Sequence, residues 1–402
     1  MTAQQTILNT PANKATRAGA RVWILQPEVQ HYRLPVLDGV QARGRADRAY
    51  EITVFGGLDA KGECIGGGTR EYVRSQPLEQ GKILGVPTAW WPGFEQLLRH
   101  EKPDALVMLG NPRMRQCWTL PTLARSMGIP VIAWSKVHSY SRLAWISNVL
   151  KPWFFKRFDR VIVYGESARK ELVARGIADS HIFVAQNTID TRRIFTDADR
   201  ITKRGEELRK GAGLTGKRLL LCIGRMDAEK RHQDLLDAWP RLKAIDPDLS
   251  LVIVSGGPLL EEIRAKARAI DPAGILITGR VPEGDDYAWI STCDIGIYPG
   301  AVGLAINISL AFGKPTIIAD ERGSDSEILE HGATGWRYAR GDLDGMTACV
   351  KSVIDDPRAS RAVCDRARTL MRDTVTIDNM VSKIDSAIRV ALSMQTGKHP
   401  RP

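Results

Sequence analysis

No apolar run in this chain reaches the roughly 18 residues that a membrane-crossing helix needs. The opening stretch, MTAQQTILNTPANKATRAGA, lacks the apolar core of a secretory leader. Cysteines are few and scattered (Cys64, Cys117, Cys222, Cys293, Cys349 and Cys364), with no C-x-x-C pair, and several lie in apolar runs such as LLLCIG. Buried free thiols in a reducing compartment are the expected state. These absences together point to a cytoplasmic chain. Acidic residues are missing altogether between Asp104 and Asp159, where Arg113, Arg115, Arg125, Lys136, Arg142, Lys151, Lys156 and Arg157 fall. Trp145, Trp153, Phe154, Phe155 and Phe158 interleave with those cations. Two readings stay open for that stretch. It suits an anionic membrane surface or a phosphate-bearing acceptor, and it equally suits a solvated basic face beside a buried aromatic helix. Helix-turn-helix, zinc-finger and RNP-like signatures are lacking, so no nucleic-acid partner is expected.

What is present is the material of a large α/β protein. The 402 residues suggest two to three domains, and 43% apolar with 26% charged residues is an ordinary globular balance. Short apolar runs alternate with helical patterns. ARVWIL, YEITVF, DALVML, IPVIAW, DRVIVYG and HIFVAQ read as one series of strands, and RLLLCIG, LSLVIVSGG, GILITGRV, CDIGIYPG and KPTIIAD as a second. Continuous buried strands separated by helices imply parallel sheets covered on both faces. Two doubly wound, Rossmann-like domains with an interdomain cleft are therefore expected. The first takes residues 1–190, with 1–19 disordered. A polar linker takes 191–217, the second domain takes 218–375, and residues 376–402 form a helix returning to the first domain and then a disordered tail.

In doubly wound sheets ligands gather beyond the carboxyl ends of the strands. The stretch LLLCIGRMDAEKRHQDLLDAW places Gly224, Arg225 and Lys230 there, between a buried strand and a helix N-terminus. Two cations beside free helix N–H groups suit a pyrophosphate, although a solvated turn would show the same residues. A second loop, within CDIGIYPGAVGLAINISLAFGKPTII, has small residues instead of cations. Gly300, Ala301 and Gly303 allow close approach of a phosphate, and the amides near Val302, Gly303 and Leu304 are placed to donate.

These stretches together resemble the glycosyltransferases of family 4, whose architecture is the two-Rossmann GT-B fold. IGRMDAEKRHQDLLDAW is similar to the family's Gly-Arg, Lys, helix signature. IVSGGPLLEEIRAKA is similar to its Gly-Asp-Gly-Pro segment, with Gly256 in the place of Asp and Gly257 following. ITGRV, with Arg280 and Val281, resembles the segment beside the base, and SEILEHGATGW the Gly-x-x-Gly stretch. YGESARKELVARGI and QNTIDTRRIF resemble first-domain units, and HYRLPVL a polysaccharide-assembling subset.

The resemblance implies a retaining glycosyltransferase that moves a sugar from a nucleotide diphosphate sugar to a glycan or lipid-linked acceptor. It assigns Arg225 and Lys230 to the departing diphosphate. Where the family carries two glutamates this chain has Gly300 and Ile308, leaving Asn307 and Glu327 as the first candidates to hold ribose and sugar. For the first domain it implies a histidine at the sugar. His138 is the candidate, with a locally satisfied loop histidine as the alternative and His31 as a weaker choice on the acceptor side. His232 is expected to lend its ring to the phosphate loop or to face solvent. Asp-x-Asp pairs occur only in charged loops, so neither a metal nor a cofactor is expected, and any membrane attachment is peripheral, at the inner face. Two other classes compete: a nucleotide- or carbohydrate-binding protein that kept the fold without the chemistry, and a sugar-nucleotide epimerase. The epimerase would need carboxylates and histidines converging on the sugar, which the sequence does not assemble.

Overall fold

The computed structural model describes residues 19–59, 62–65, 67–83, 86–137, 151–320 and 326–395. The expectations for residues 1–18, for Arg142, Trp145 and His138, and for the tail after 395 lie outside them. Fifteen strands are present among the described residues: β1 (Ala20–Glu28), β2 (Tyr50–Gly57), β3 (Val73–Ser75), β4 (Glu79–Ile83), β5 (Val86–Trp90), β6 (Ala105–Leu109), β7 (Val131–Ser135), β8 (Arg160–Val163), β9 (Ile182–Val184), β10 (Arg218–Ile223), β11 (Leu249–Val254), β12 (Ile275–Gly279), β13 (Ile295–Tyr298), β14 (Thr316–Asp320) and β15 (Trp336–Ala339). A seven-stranded sheet runs β3-β2-β1-β6-β7-β8-β9 and a six-stranded sheet β12-β11-β10-β13-β14-β15, while β4 and β5 form an antiparallel hairpin of their own. By compactness the chain divides into residues 1–134, 154–160 and 385–402, and residues 135–153 and 161–384.

The six-stranded sheet shows why its sequence reads as continuous apolar runs. Alternate residues of each strand enter opposite cores: Leu220, Cys222, Leu249, Leu251 and Ile253 pack on one face, and Leu219, Leu221, Val252 and Val254 on the other. β10 pairs with β11 in parallel register from Arg218↔Leu249 to Ile223↔Val254, so both strands deliver their following loops to the same edge. Each Leu or Val withdrawn from water contributes about 1.5–3 kcal/mol, which a strand buried on both faces collects at every position. The strand order turns back beside β10, whose neighbours are β11 and β13, and the crevice of such a sheet opens at that point.

Residues 191–217, read as a polar linker, are largely helical: Arg192–Thr196 and Ala198–Gly211. Their polarity belongs to an exposed helix face laced with pairs such as Arg200–Asp197 and Arg204–Glu207. Gly205 is the buried exception. A Cβ there would collide with the Ala288 carbonyl and approach Ser291 Oγ to 2.9 Å, so glycine lets this helix lie against the helix Asp285–Thr292.

The last helix, Ile377–Gln395, carries a polar anchor within an otherwise apolar face. Tyr50 Oη donates to Asp385 Oδ1 at 2.7 Å, and Arg389 bridges Asp385 and Asp47 at 2.8 and 2.7 Å. Burial, then the hydrogen bond to Asp385, pushes the Tyr50 phenol well above its usual range, so it remains a donor at every physiological pH. Among the described residues no helix is long and apolar enough to cross a membrane.

Candidate active site

The loop after β10 is built around a buried residue flanked by charge. Ile223 ends the strand, and Gly224 at φ +156 turns the chain. Met226 is fully buried: its N–H donates to the Gly256 carbonyl at 3.1 Å, and its own carbonyl accepts from Leu259 at 3.1 Å. Gly257 must be glycine, because a Cβ would come within 2.6 Å of the Met226 nitrogen. This pin leaves Arg225, one residue earlier, exposed at the sheet edge. Asp227 Oδ1 then accepts from the Lys230 N–H at 3.2 Å, closing the turn Ala228–Lys230. Arg231 takes a left-handed conformation (φ 53°) and pairs with Asp234 at 2.7 Å, and the helix His232–Ile245 begins.

Lys230 is where the two anion-ready loops meet. Its ammonium donates to the Ala301 carbonyl, and the Ala301 N–H returns a bond to the Glu229 carbonyl at 2.9 Å. A Cβ on Gly303 would stand 3.3 Å from Lys230 Nζ, and one on Gly224 3.9 Å from it. The charge therefore lies against backbone on two sides, with no side chain intervening. Among the described residues the N–H groups of Val302, Gly303 and Leu304 find no acceptor, so they remain available to an anion. The Arg280 stem crosses Gly256, where a Cβ would meet its Cγ at 2.8 Å. That contact accounts for glycine at the position where an aspartate is usual, and it brings a third cation to this edge, with Val281 half-buried behind it.

Several expectations need correction. Gly300 is held by packing between the two loops. A Cβ there would overlap the Glu229 carbonyl oxygen and fall 2.6 Å from the Lys230 carbonyl carbon, so its small size serves the contact between the loops. Asn307 is fully buried: its amide nitrogen donates to the Asn187 carbonyl at 3.4 Å and to Thr188 Oγ1 at 3.2 Å, while its Oδ1 has no partner. Glu327 is engaged as well. Its carboxylate accepts from the Ser167 N–H at 3.1 Å and from Ser167 Oγ, at the first turn of the helix Glu166–Ala174, and it fills the space a side chain on Gly165 would need. An anion at a helix start is stabilising, and Glu327 supplies it from outside the helix. Glu327→Gln is therefore expected to lower stability by about 1 kcal/mol, read as a denaturation midpoint, instead of acting on turnover alone.

Two further corrections concern charge. Lys151 does not belong to the exposed basic face, because it is 4% exposed and bonded to Glu171 at 2.7 Å. Phe154, Phe155 and Phe158 are core residues, whereas Trp153 stands 67% exposed and Arg113, Arg115, Arg125, Lys136 and Lys156 are exposed. His31 is exposed, with Nδ1 3.2 Å from the Ile65 carbonyl. His232 faces the interior instead of solvent: it is 2% exposed, and neither ring nitrogen makes a hydrogen bond of ordinary geometry, with the Gly224 main chain as its loose neighbour.

Burial first, and the Lys230 ammonium second, push the His232 imidazole down to about 4. The unfolded chain, with a value near 6.5, then binds a proton that the folded chain refuses. That stabilisation is complete above pH 6.5 and is lost as pH falls from 6.5 toward 4, a swing of about 3 kcal/mol. Comparing denaturation midpoints of the wild type and His232→Gln at pH 7 and pH 4.5 checks this. The wild type should lose more stability across that interval than the variant.

Comparison with known proteins decides what such loops belong to. Residues 41–193 match the family model described as Glycosyltransferase Family 4, and residues 217–356 the model described as Glycosyl transferases group 1. The chain belongs to the family 4 glycosyltransferases. This glycosyltransferase is 26% identical over 301 residues to the glycogen synthase of Mycobacterium tuberculosis, covering 70% of this chain and 67% of that protein. Over 186 residues it is 27% identical to the GDP-mannose-dependent alpha-(1-6)-phosphatidylinositol monomannoside mannosyltransferase of Mycolicibacterium smegmatis, covering 44% of this chain and 47% of that one. The glycosyltransferase thus spans about half the length of the mannosyltransferase it matches. In fold it is similar to the crystal structure of Anabaena HepE in complex with UDP, with a TM-score of 0.69 at 13% identity over 92% of this chain and 100% of that one. The two parallel sheets are those of a GT-B glycosyltransferase.

Sequence reasoning named Gly224, Arg225, Lys230, Gly303 and the amides beside it, and the structure brings Lys230, Gly224 and Gly303 together. It missed Met226, whose apolar side chain between Arg225 and Asp227 was the available signal for a buried pin. It also missed the Glu229–Ala301 main-chain bond, which no side-chain pattern announces.

Proposed function

We propose that this glycosyltransferase moves a sugar, with retention at the anomeric carbon, from a nucleotide diphosphate sugar to a glycan or lipid-linked acceptor in bacterial-type polysaccharide assembly. The observation that carries the reading is the Lys230 ammonium set against Ala301 and Gly303, beside three amides without acceptors. Cleaving a sugar–phosphate bond through an oxocarbenium-like state gathers negative charge on the departing diphosphate. A fixed cation and fixed N–H dipoles stabilise that charge most where water is excluded. Arg225 and Arg280 supply further positive charge at the same edge, and the loop needs no reorganisation as charge develops, because Met226 and Asp227 already hold it. HepE was crystallised with UDP and the M. smegmatis relative is GDP-mannose-dependent, which makes UDP- and GDP-sugars the first donors to try. Incubation with a panel of such donors and membrane extract as acceptor source should release the free nucleoside diphosphate. Binding of nucleotide with no release from any donor would instead favour the binding-protein alternative.

A lipid-linked acceptor waits at a membrane, and the exposed Trp153 and Lys156 suit an anionic headgroup layer. Each such cation contributes about 1 kcal/mol near the surface. Wild type should sediment with anionic liposomes at low salt, and a Trp153→Ala, Lys156→Gln variant should sediment less. Equal sedimentation would remove this stretch from the attachment.

A further inference from the structure

His232 is the buried polar side chain of the diphosphate loop that the reading above leaves without a task. It opens a 14-residue helix, it is 2% exposed, and neither Nδ1 nor Nε2 makes a hydrogen bond of ordinary geometry, only a loose contact with the Gly224 main chain favouring its protonated form. A buried imidazole so weakly satisfied is uncommon and calls for a reason. Local backbone drives it inward. Arg231 adopts φ 53°, a conformation unfavourable for a long side chain, turns its guanidinium to Asp234, and sends the next side chain into the interior beside the Gly224 main chain. The same loop carries Lys230 over Gly224 and Gly303.

We propose that His232 is a proton acceptor coupled to occupancy of the donor site: its imidazole is neutral while the loop is empty and takes one proton from solvent when a diphosphate rests on Lys230. The inference rests on the placement of the diphosphate given under Proposed function.

The charged groups acting on the ring are Lys230, which opposes its cation, and Asp227, which favours it, with burial against the cation as the largest effect. On its own helix Asp234 is paired to Arg231. Cys222 on β10 and Tyr338 on β15 belong to the core under this helix, and burial keeps both neutral, the thiol pushed up to about 12. An arriving anion therefore changes one balance only: it neutralises Lys230 and adds its own field. A unit negative charge ~5 Å away raises a pKa by roughly 2 at an effective dielectric near 20. A diphosphate carries more than one such charge, which moves the ring upward from about 4 toward the neutral range. The imidazolium then grows more favourable as charge builds on the leaving group, and it returns its proton to solvent when the nucleotide departs.

Calorimetry of UDP and GDP at pH 6.5, in buffers of differing ionisation enthalpy, reads the proton directly. Wild type should take up about half a proton or more beyond the uptake of His232→Gln, since the nucleotide's own titration is common to both. The affinity ratio of wild type to variant should rise about tenfold from pH 8 to pH 6. Equal uptake with an unchanged ratio would overturn the proposal while leaving the diphosphate site intact. Failure of either nucleotide to bind wild type would overturn that site and this proposal with it. If His232→Gln does not fold, the imidazole resonances of wild type, titrated with and without UDP or GDP, give the same answer. An unchanged midpoint for every histidine would overturn the proposal.

Discussion

Lys230→Ala is expected to lower kcat about 10²–10³-fold, a loss of about 3–4 kcal/mol of transition-state stabilisation. Arg225→Ala should follow at a smaller cost, because its side chain is exposed and water replaces part of its field. Lys217→Ala and Arg231→Ala are the controls: the first cation is paired to Asp248 at 2.8 Å and the second to Asp234, so neither is offered to a ligand. Calorimetry with the free nucleoside diphosphate separates binding from chemistry. Affinity for it should fall about 10–100-fold in Lys230→Ala, as for loss of a charge-assisted hydrogen bond, and by no more than a few-fold in the controls. Equal losses in all four variants would mean that general positive charge, and not a built site, holds the anion.

Restoring the family's glutamates should damage this protein. Gly300→Glu forces a Cβ into the Glu229 carbonyl and the Lys230 main chain, and backbone cannot move aside as a flexible side chain does. The loops must separate, moving Lys230 away from the amides of Val302, Gly303 and Leu304, so nucleotide binding should drop by at least the amount seen in Lys230→Ala. Gly300→Ala should show most of the same loss, because the Cβ and not the carboxylate is at fault. Ile308 is 5% exposed and packs in the core between the sheet and its helices, so Ile308→Glu buries a carboxylate without a partner. That change should cost about 3–5 kcal/mol of stability and bring no gain in turnover. Thermal denaturation and a nucleotide-release assay on the three variants test both halves. Increased turnover in either glutamate variant would contradict the packing account of why these carboxylates are missing.

The strands were legible because β-branched and leucine runs bounded by glycine or proline leave few alternatives, and LLLCIG and LSLVIV became neighbouring strands of one sheet. β15 was not legible. WRYA is four residues long and mixes aromatic with charge, and its place on the sheet comes from pairing with β14. The helix Ala198–Gly211 was hidden by its own composition, since an exposed helix rich in Arg, Lys and Glu reads as a solvated linker until Gly205 is seen against Ala288. At the candidate site the local signal of strand, glycine and cation was enough to place Arg225 and Lys230 at the sheet edge. The packing of Gly300, Asn307 and Glu327 was not legible for a shared reason: each is fixed by a residue far along the chain, namely Glu229, Asn187 and Ser167. Spacing within one segment cannot show a partner of that kind.

The central claim is that the nucleotide's diphosphate lies where the loops after β10 and β13 meet. A crystal structure of this protein with UDP or GDP bound tests it most directly. The account predicts phosphate oxygens within hydrogen-bond distance of Lys230 Nζ and of the N–H groups of Val302, Gly303 or Leu304, with Lys230 released from the Ala301 carbonyl. A nucleotide seated elsewhere, with Lys230 still bonded to Ala301, would contradict it.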